Sequence, residues 1–293
     1  MEAAQSDGAE RPRVSVVMAV RDCERYLRAC VASLAAQFFT SFEVVVVEDG
    51  STDATPEILE ELVGANPSLS IVKHRNFPTL GIAASRNRAL SLAAGEYVAV
   101  LDGDDLCRAD RLARQAAFLD ANPKCFCVGS VARSVEADGT LGTTLDYGVR
   151  SHEQVVEQLL AGRNPIINSS TMFRRREAIE VLGGYATEGP AAIVEDLDFW
   201  YRAVLAGLRF EVLPDPLAFY RWNPAGHTRT REHEIRQAHE VRLGEFRREF
   251  EGRRRPAAQS NTPSCRKLLC LMRHSRFFLA SEAAFVYKRG CRS

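Results

Sequence analysis

The stretch LAAGEYVAVLDGDDL, residues 92–106, places an apolar run directly before three carboxylates. The run YVAVL suits a buried strand, whereas Asp102, Asp104 and Asp105 do not. Three like charges so close together repel one another, and carboxylates are ligands that Mg²⁺ and Mn²⁺ accept. The stretch therefore predicts a core strand that ends at a cation site. Asp and Gly are also ordinary turn formers, and Asp104 or Asp105 could instead cap a following helix.

Strands and helices alternate on either side of this stretch. The runs VSVVMAV and FEVVVV predict buried strands at 14–20 and 42–47, and helical spacing of apolar residues follows each of them. Such alternation is typical of a parallel sheet with helices on both faces. Because ligands of these sheets bind outside the carboxyl ends of the strands, we expect Glu48 and Asp49 to face the same crevice as the acids after residue 101.

Apolar periodicity and turn residues predict the remaining elements. Strands are expected at 70–74, 127–135, 143–147, 171–173, 209–213 and 217–221, and helices at 24–38, 83–94, 108–120, 151–161, 175–182, 195–206 and 230–251. The second half is less regular than the first. No internal repeat is present.

Composition excludes several classes of protein. The 293 residues are 46% hydrophobic and 26% charged, as in a globular protein, and the formal net charge of zero gives no reason to expect a nucleic-acid partner. No apolar stretch reaches the roughly 18–20 residues that span a bilayer. The polar first ten residues do not resemble a signal peptide, and the eight cysteines without a CxxC pair predict reduced thiols in a cytoplasmic protein.

Three further segments carry candidate chemistry. EDGSTDATPE at 48–57 places Asp49 at a strand end, where its carboxylate could accept a hydrogen bond from a nucleobase. GIAASRNRAL at 81–90 carries Arg86 and Arg88, which could pair with phosphates or could be solvated helix residues. VEDLDFWYRA at 194–203 carries acids that suit a first helical turn, of which Asp196 borders the apolar stripe and could act as a general base. On a helical wheel Glu195 points away from that stripe.

Other catalytic motifs are missing from the sequence. The six histidines form no HExxH, and neither GxSxG nor GxxxxGK[ST] occurs. The first strand is not followed by GxGxxG. Serine-hydrolase, zinc-protease, P-loop and dinucleotide-binding sites are therefore not expected.

Taken in order, four segments resemble the family 2 glycosyltransferases. They are VSVVMAVRDCERYLRACVASLAAQ, FEVVVVEDGSTDATPEI, LGIAASRNRALSLAAGEYVAVLDGDDL and EDLDFWYRA. The resemblance covers roughly residues 13–222 and implies the GT-A fold, a Rossmann-like, mostly parallel α/β sheet. Each motif alone is weak, but their order and spacing are specific.

The resemblance also implies a division of the chain. Residues 1–12 would be a flexible N-terminus and 13–225 the glycosyltransferase domain, with a nucleotide-binding half (13–106) and an acceptor half (107–225). A charged helix at 226–257 and a basic amphipathic tail at 258–293 would form a C-terminal extension. The tail holds seven Lys/Arg and one acid, although the whole chain has 38 of each charge.

For function, the resemblance implies an inverting, metal-dependent transfer from a nucleotide sugar, most often a UDP-sugar, in glycan or cell-surface polysaccharide synthesis. Asp49 matches the acid that contacts the nucleobase, and Arg86 and Asn87 match a segment that lines the nucleotide pocket. Asp102 matches the ribose-side acid of the family's DxD motif. Asp104 matches its metal ligand, for Mn²⁺ or Mg²⁺. The resemblance also implies a glycan or lipid-linked acceptor.

The catalytic base implied by the resemblance is Asp196. Secondary candidates for the site are Glu195, Glu48, Asp105 and His227. The sequence departs from the family after the first strand, where Arg21 replaces an aromatic residue and makes the donor base less certain. It departs again where the family often has histidine, because this chain has Asn223 and its histidine comes later, at 227.

Two alternative functions stay open at this point. A catalytically inactive sugar-nucleotide-binding or scaffold domain would use the same fold, but the acids and Asp196 are retained. A sugar nucleotidyltransferase would need a glycine-rich phosphate loop, which VMAVRDCERYL lacks. The basic tail could lie on an anionic membrane, or it could be a packing helix or a disordered end. The expected location is therefore the cytoplasm, with peripheral contact at the inner face of the membrane only in the first case.

Overall fold

The computed structural model describes residues 11–66, 69–76, 78–223 and 226–254, without the side chains of His227, Thr228 and Arg254. Residues 1–10 and the predicted basic tail at 258–293 lie outside the described residues. Contacts divide the chain into two units, residues 1–246 and 247–293. Of the second unit, the described residues are 247–254, and they are helical.

Nine strands are described. They are β1 (Val14–Val20), β2 (Phe42–Glu48), β3 (Ser70–Arg75), β4 (Tyr97–Val100), β5 (Leu106–Cys107), β6 (Cys125–Val135), β7 (Leu141–Leu145), β8 (Met172–Arg174) and β9 (Arg209–Arg221).

The described helices occur between and after these strands. They are α1 (Leu27–Ala35), α2 (Thr55–Ala65), α3 (Ile82–Leu92), α4 (Arg111–Ala121), α5 (His152–Leu160), α6 (Arg175–Glu180), α7 (Gly189–Ile193), α8 (Glu195–Leu205), α9 (His227–Thr230) and α10 (Glu232–Arg254). A 3₁₀ turn covers Asn168–Ser170.

The strands form one sheet in the order β3-β2-β1-β4-β8-β6-β9-β5, and β7 pairs with β6. The first four strands are parallel, so their carboxyl ends meet at one edge. From β8 onward the pairing is mixed: β8 is antiparallel to both β4 and β6, whereas β6 and β9 are parallel. The crevice predicted at the carboxyl ends of the strands therefore lies beside the start of the mixed half.

Helices cover both faces of the parallel half because its strands are apolar on both sides. One face forms a cluster of alternate strand residues with apolar side chains of α1, α2 and α4. The intervening residues, such as Val17 of β1 and Val45 of β2, are equally buried but do not belong to that cluster. Helix α3 contacts β1 and β2 and supplies no member of the cluster, so it covers the opposite face.

Aromatic side chains pack the mixed half. Phe173 of β8 lies with its ring centroid 5.8 Å from that of Phe126 and 5.5 Å from that of Phe199. Phe210 of β9 lies 6.1 Å from Phe126 and 5.8 Å from Trp200. Since Phe199 and Trp200 belong to α8, this cluster fixes the helix that begins with the predicted base.

Several sequence predictions require correction. The two closing strands expected at 209–213 and 217–221 are one strand, β9, which passes through Pro214 and Pro216 with irregular register against β6. Neither Asp104 nor Asp105 caps the following helix, because α4 begins at Arg111 and its N-cap residue is Asp110. The short elements β5, α7 and α9 were not expected.

Two findings concern cysteines and membranes. The five cysteines within the described part of the chain are free: Cys23, Cys30, Cys107, Cys125 and Cys127. Among the described residues, none of the helices combines the length and the apolar character needed to cross a membrane.

The aromatic cluster provides a test of packing. We expect Phe173→Ala to lower the free energy of unfolding by about 3–5 kcal/mol, because it removes a fully buried ring and leaves a cavity. Urea unfolding at neutral pH measures this loss. The matched control is Phe38→Ala, whose ring is 76% exposed and whose removal should change the free energy by less than about 0.5 kcal/mol. Equal effects of the two substitutions would contradict the described core.

Candidate active site

Asp102 is the first acid after β4, and both of its oxygens are held by protein. Oδ1 accepts a hydrogen bond from Arg86 Nη2 at 2.9 Å, and Oδ2 accepts one from Ser169 Oγ at 3.0 Å. The backbone N–H of Asp102 donates to the same serine oxygen at 3.1 Å. The side chain is still 30% exposed. Asp102 is therefore a fixed carboxylate that keeps access to solvent.

Asp104 lies two residues further on and is also partly exposed. Asn223 Nδ2 donates to its Oδ2 at 2.9 Å. Burial and the negative charge of Asp102 raise the pKa of Asp104, although the hydrogen bond from Asn223 lowers it. A bound cation would offset this repulsion, so the surroundings of Asp104 suit a cation.

Asp105 has a different position from the other two acids. It is 1% exposed, and its Oδ1 accepts the backbone N–H of Arg221 at 2.6 Å. Burial and the charges of Asp104 and Asp102 raise the pKa of Asp105 well above its ordinary value. Arg221 also donates from Nε to the carbonyl oxygen of Asp104 at 2.7 Å. Asp105 thus fastens the acidic turn to the end of β9.

Gly103 separates Asp102 from Asp104 because there is no room for a side chain. A Cβ added there would lie 2.9 Å from Val20 Cγ1 and 3.1 Å from Cys23 Sγ. The turn therefore packs directly against the end of β1. This contact explains the glycine between the acids.

Arg86, in α3, connects the acidic turn to helix α8. It is 3% exposed, donates from Nη2 to Asp102 and forms an ion pair through Nη1 with Glu195. Burial alone would lower the pKa of Arg86, but the two carboxylates raise it above the ordinary value. The guanidinium also lies 5.7 Å from the centroid of the Tyr185 ring. This buried cation therefore joins the predicted nucleotide-binding half (13–106) to the predicted acceptor half (107–225).

Glu195 and Asp196 begin α8, and their positions differ from the helical-wheel expectation. Glu195 does not point away from the protein: it is 6% exposed and faces Arg86. Burial raises the pKa of Glu195 to about 7, although the charge of Arg86 lowers it. Asp196 is partly exposed, and its Oδ1 accepts the backbone N–H of Leu197 at 2.7 Å. Burial likewise raises the pKa of Asp196, and Arg86 lowers it.

Asp49 holds the segment that leads into α3. Its Oδ1 accepts hydrogen bonds from Asn76 Nδ2 and Leu80 N, and its Oδ2 accepts one from Gly81 N, all at 2.9 Å. Burial alone would raise the pKa of Asp49, but these hydrogen bonds lower it below the ordinary value. Asp49 is consequently a buried, ionised carboxylate at the carboxyl end of β2.

Glu48 and Asn87 make contacts within the protein. The carboxylate of Glu48 accepts the backbone N–H of Ser51 and pairs with Arg75, with Nε 2.9 Å from Oε2. Asn87 forms two hydrogen bonds of 2.7 Å with the backbone N–H and C=O of Tyr185. Both residues position neighbouring segments.

The remaining candidates are Arg21 and His227. The side chain of Arg21 is 52% exposed and lies 3.5 Å from Asp22, a non-glycine residue with a φ of 51°. The side chain of His227 lies outside the described residues. Asn223, which precedes it, is the residue that reaches Asp104.

Sequence patterns did not predict three residues of this site, Ser169, Tyr185 and Arg221. Each depends on a partner at least 65 positions away in the chain. Local periodicity carries no information about such pairs. Within the described residues, no group of three or more His, Cys, Asp or Glu side chains is arranged to hold a metal ion.

A family model described as Glycosyl transferase family 2 matches residues 15–183. The chain belongs to glycosyltransferase family 2. The family match confirms the predicted resemblance, and the chain is a glycosyltransferase.

Individual relatives agree with this assignment. Putative glycosyltransferase EpsE of Bacillus subtilis is 32% identical over 198 residues, which are 68% of this chain and 69% of EpsE. Chondroitin synthase of Pasteurella multocida is 35% identical over 130 residues, which are 44% of this chain and 13% of the synthase.

A solved structure supports the fold. The crystal structure of S. aureus TarS 1–349 in complex with UDP-GlcNAc matches with a TM-score of 0.61 and 25% identity, over 73% of this chain and 60% of the TarS chain. The match thus spans less than two thirds of TarS. The predicted GT-A fold is confirmed.

The contacts of Asp49 predict how stability depends on pH. Because the folded state lowers the pKa of Asp49, its ionised form stabilises the fold above the unfolded-state pKa of about 3.9, and this contribution is lost as the pH falls through the folded-state value. We expect Asp49→Asn to be less stable than the unmodified chain at pH 7, with the difference shrinking towards pH 3. Urea unfolding at both values measures it. A difference that stays constant or grows on acidification would contradict the ionised, hydrogen-bonded Asp49.

Proposed function

We propose that the chain transfers a sugar, with inversion, from a nucleotide-sugar donor to an acceptor hydroxyl. One observation carries the proposal: the buried Arg86 pairs with Asp102 after β4 and with Glu195 at the start of α8. The partly exposed Asp104 and Asp196 closely follow these two partners in the sequence. Asp102 and Asp104 suit a diphosphate with its cation, and Asp196 suits an acceptor.

The proposed donor is a UDP-sugar. TarS, the 25%-identical relative described above, was solved with UDP-GlcNAc. Asp49 is the proposed nucleobase contact, because it is an ionised carboxylate at the carboxyl end of β2 that hydrogen bonds hold in place. In the same proposal Asp102 lies on the ribose side, and Arg86 holds it there.

Asp104 is the proposed ligand of Mn²⁺ or Mg²⁺. Its partial exposure and its raised pKa fit a site that is completed by a cation. Mg²⁺ usually binds through one or two carboxylates together with substrate phosphates, so a preformed cage of three side chains is not needed. When bound, the ion would supply positive charge that stabilises the leaving diphosphate.

Asp196 is the proposed general base. It is partly exposed, whereas the neighbouring Glu195 is engaged with Arg86. Its raised pKa makes it a stronger base than an ordinary aspartate. Asp196 would take the proton of the acceptor hydroxyl as the oxygen attacks the sugar from the face opposite the diphosphate.

Inversion follows from a single displacement of this kind. The acceptor oxygen forms one bond to the anomeric carbon while the bond to the diphosphate breaks. No covalent sugar–enzyme intermediate is involved. The proposed acceptor is a glycan or lipid-linked glycan of a polysaccharide pathway, in agreement with the name of chondroitin synthase.

The direct test measures release of nucleoside diphosphate from a panel of nucleotide sugars, with Mn²⁺ or Mg²⁺ and with candidate acceptors. UDP binding without turnover of any donor and acceptor would overturn the proposal in favour of a binding or scaffold domain. Pyrophosphate release from a nucleoside triphosphate and a sugar phosphate would instead identify a nucleotidyltransferase.

The role of the base predicts the effect of Asp196→Asn. We expect turnover to fall by about 10²- to 10⁴-fold, because the amide cannot accept the acceptor proton. The affinity for UDP, measured by calorimetry, should stay unchanged. The matched control is Asp138→Asn, which removes an exposed acid in the turn between β6 and β7. An Asp196→Asn variant that turns over like this control would refute the assignment.

The role of Asp104 predicts a change in metal-dependent binding. In the unmodified chain, Mn²⁺ should strengthen UDP binding by at least about tenfold, or about 1.4 kcal/mol, relative to EDTA. In Asp104→Ala this gain should vanish, while UDP affinity in EDTA stays the same. Calorimetric titration of UDP under both conditions measures the two affinities. Retention of the full Mn²⁺ effect would show that Asp104 does not bind the metal.

A further inference from the structure

Asp198, two residues after the proposed base, is a buried carboxylate that the proposed reaction does not use. It is 1% exposed and accepts hydrogen bonds from two arginines. Arg202 Nε, one turn further along α8, lies 2.7 Å from Oδ2, and Arg242 Nε, on α10, lies 2.9 Å from Oδ1. Because a buried carboxylate left unpaired is costly, this arrangement fixes the side chains around it.

The guanidinium of Arg202 also holds a turn. Its Nη1 donates to the carbonyl oxygen of Leu182 at 2.6 Å, and its Nη2 donates to that of Gly184 at 2.8 Å. Gly183 and Gly184 have φ values of +68° and +81°, a conformation that glycine adopts without strain. Arg202 thus fastens α8 to this turn through Nη1 and Nη2, while its Nε is held by Asp198.

The next residue, Tyr185, connects the turn to α3. Its backbone N–H and C=O form two 2.7 Å hydrogen bonds with Asn87. Its ring stacks on Phe199 with the centroids 4.5 Å apart and lies beside the Arg86 guanidinium. The turn packs closely against α3, since a Cβ added to Gly184 would lie 2.4 Å from Asn87 Oδ1.

These contacts form a closed circuit that begins and ends on α8. It runs from Asp198 through Arg202, the 182–185 turn and Asn87 to Arg86, and returns to α8 at Glu195. We propose that Asp198 and Arg202 are positioning residues that hold α3 against α8 and thereby set the distance between Arg86 and the catalytic base. Arg242 completes the circuit by neutralising Asp198 from α10. This inference rests on the proposed function, because it takes Asp196 as the base.

The circuit controls the charge that Asp196 experiences. The charged and titratable groups that act on Asp196 are Arg86 from α3, Glu195 beside it, Asp102 after β4 and the Tyr185 phenol. Arg86 is the only cation among these four, and it favours the ionised form. If the turn loosens and Arg86 shifts, the pKa of Asp196 rises and activity is lost at a higher pH.

The test compares Arg202→Gln with the unmodified chain. Arg202→Gln leaves Asp198 paired with Arg242, so the buried carboxylate keeps a cation. We expect kcat for release of diphosphate from the donor found in the panel to fall by about 10- to 100-fold. We also expect the acidic limb of the pH profile of kcat to move to higher pH. The affinity for UDP should stay within about twofold, since only the reacting geometry changes.

Hydrogen exchange supplies a readout that does not depend on activity. In Arg202→Gln the amide of Tyr185, which donates to Asn87, should exchange faster. The control is Arg176→Gln, which removes an exposed ion pair with Glu180 on α6 and should change neither exchange nor kinetics. Arg202→Lys keeps the positive charge but cannot donate from three nitrogens. Its Tyr185 exchange rate and its kcat should therefore lie between those of Arg202→Gln and Arg176→Gln.

Two results would overturn the proposal. One is unchanged exchange at Tyr185 in Arg202→Gln. The other is a wild-type kcat and pH profile in that variant while Asp196→Asn is inactive. If Asp196→Asn itself turns over normally, the assignment of the base fails, and the exchange experiment still decides whether the circuit holds the turn.

Discussion

The buried Arg86 guanidinium is the interaction on which the candidate site depends. It donates to Asp102 after β4 and pairs with Glu195 at the start of α8, so one side chain spans the parallel half and the mixed half of the sheet. A cation with 3% exposure is stable only if its charge is neutralised nearby. The carboxylates of Asp102 and Glu195 neutralise this charge, and the arginine between them sets the distance from one carboxylate to the other. Losing Arg86 would leave Glu195, which is 6% exposed, without its cation.

The parallel half of the fold could be predicted from the sequence because its determinants are local. Runs such as VSVVMAV are buried on both sides, and the alternation of strand and helix leaves few arrangements for a parallel sheet. The mixed half could not be predicted as well. The sequence predicted two strands at 209–213 and 217–221, but β9 is one strand that continues through Pro214 and Pro216 with shifts of register against β6. The two-residue strand β5 forms through its pairing with β9 and is too short to show a periodicity of its own.

The candidate site shows the same limit. The acids were found because sequence places them at strand ends and at a helix start. The surroundings of each acid could not be predicted, because they are formed by residues far away in the chain. The helical wheel directed Glu195 to solvent, since a wheel describes one helix and Arg86 lies 109 positions earlier. In the same way, Asp105 resembled a helix cap until Arg221 of β9 proved to be its partner.

The adjacency of Glu195 and Asp196 acquires a physical meaning from Arg86. Successive residues of a helix project about 100° apart, so two neighbouring acids cannot both face one guanidinium. Glu195 pairs with Arg86, and Asp196 is the next residue. Burial raises the pKa of Asp196, and the positive charge of Arg86 lowers it. Environments that differ in this way separate the titrations of two like groups, which is how acid and base roles are commonly divided between carboxylates. The pair thus combines a structural acid, Glu195, with the proposed base, Asp196, beside one cation.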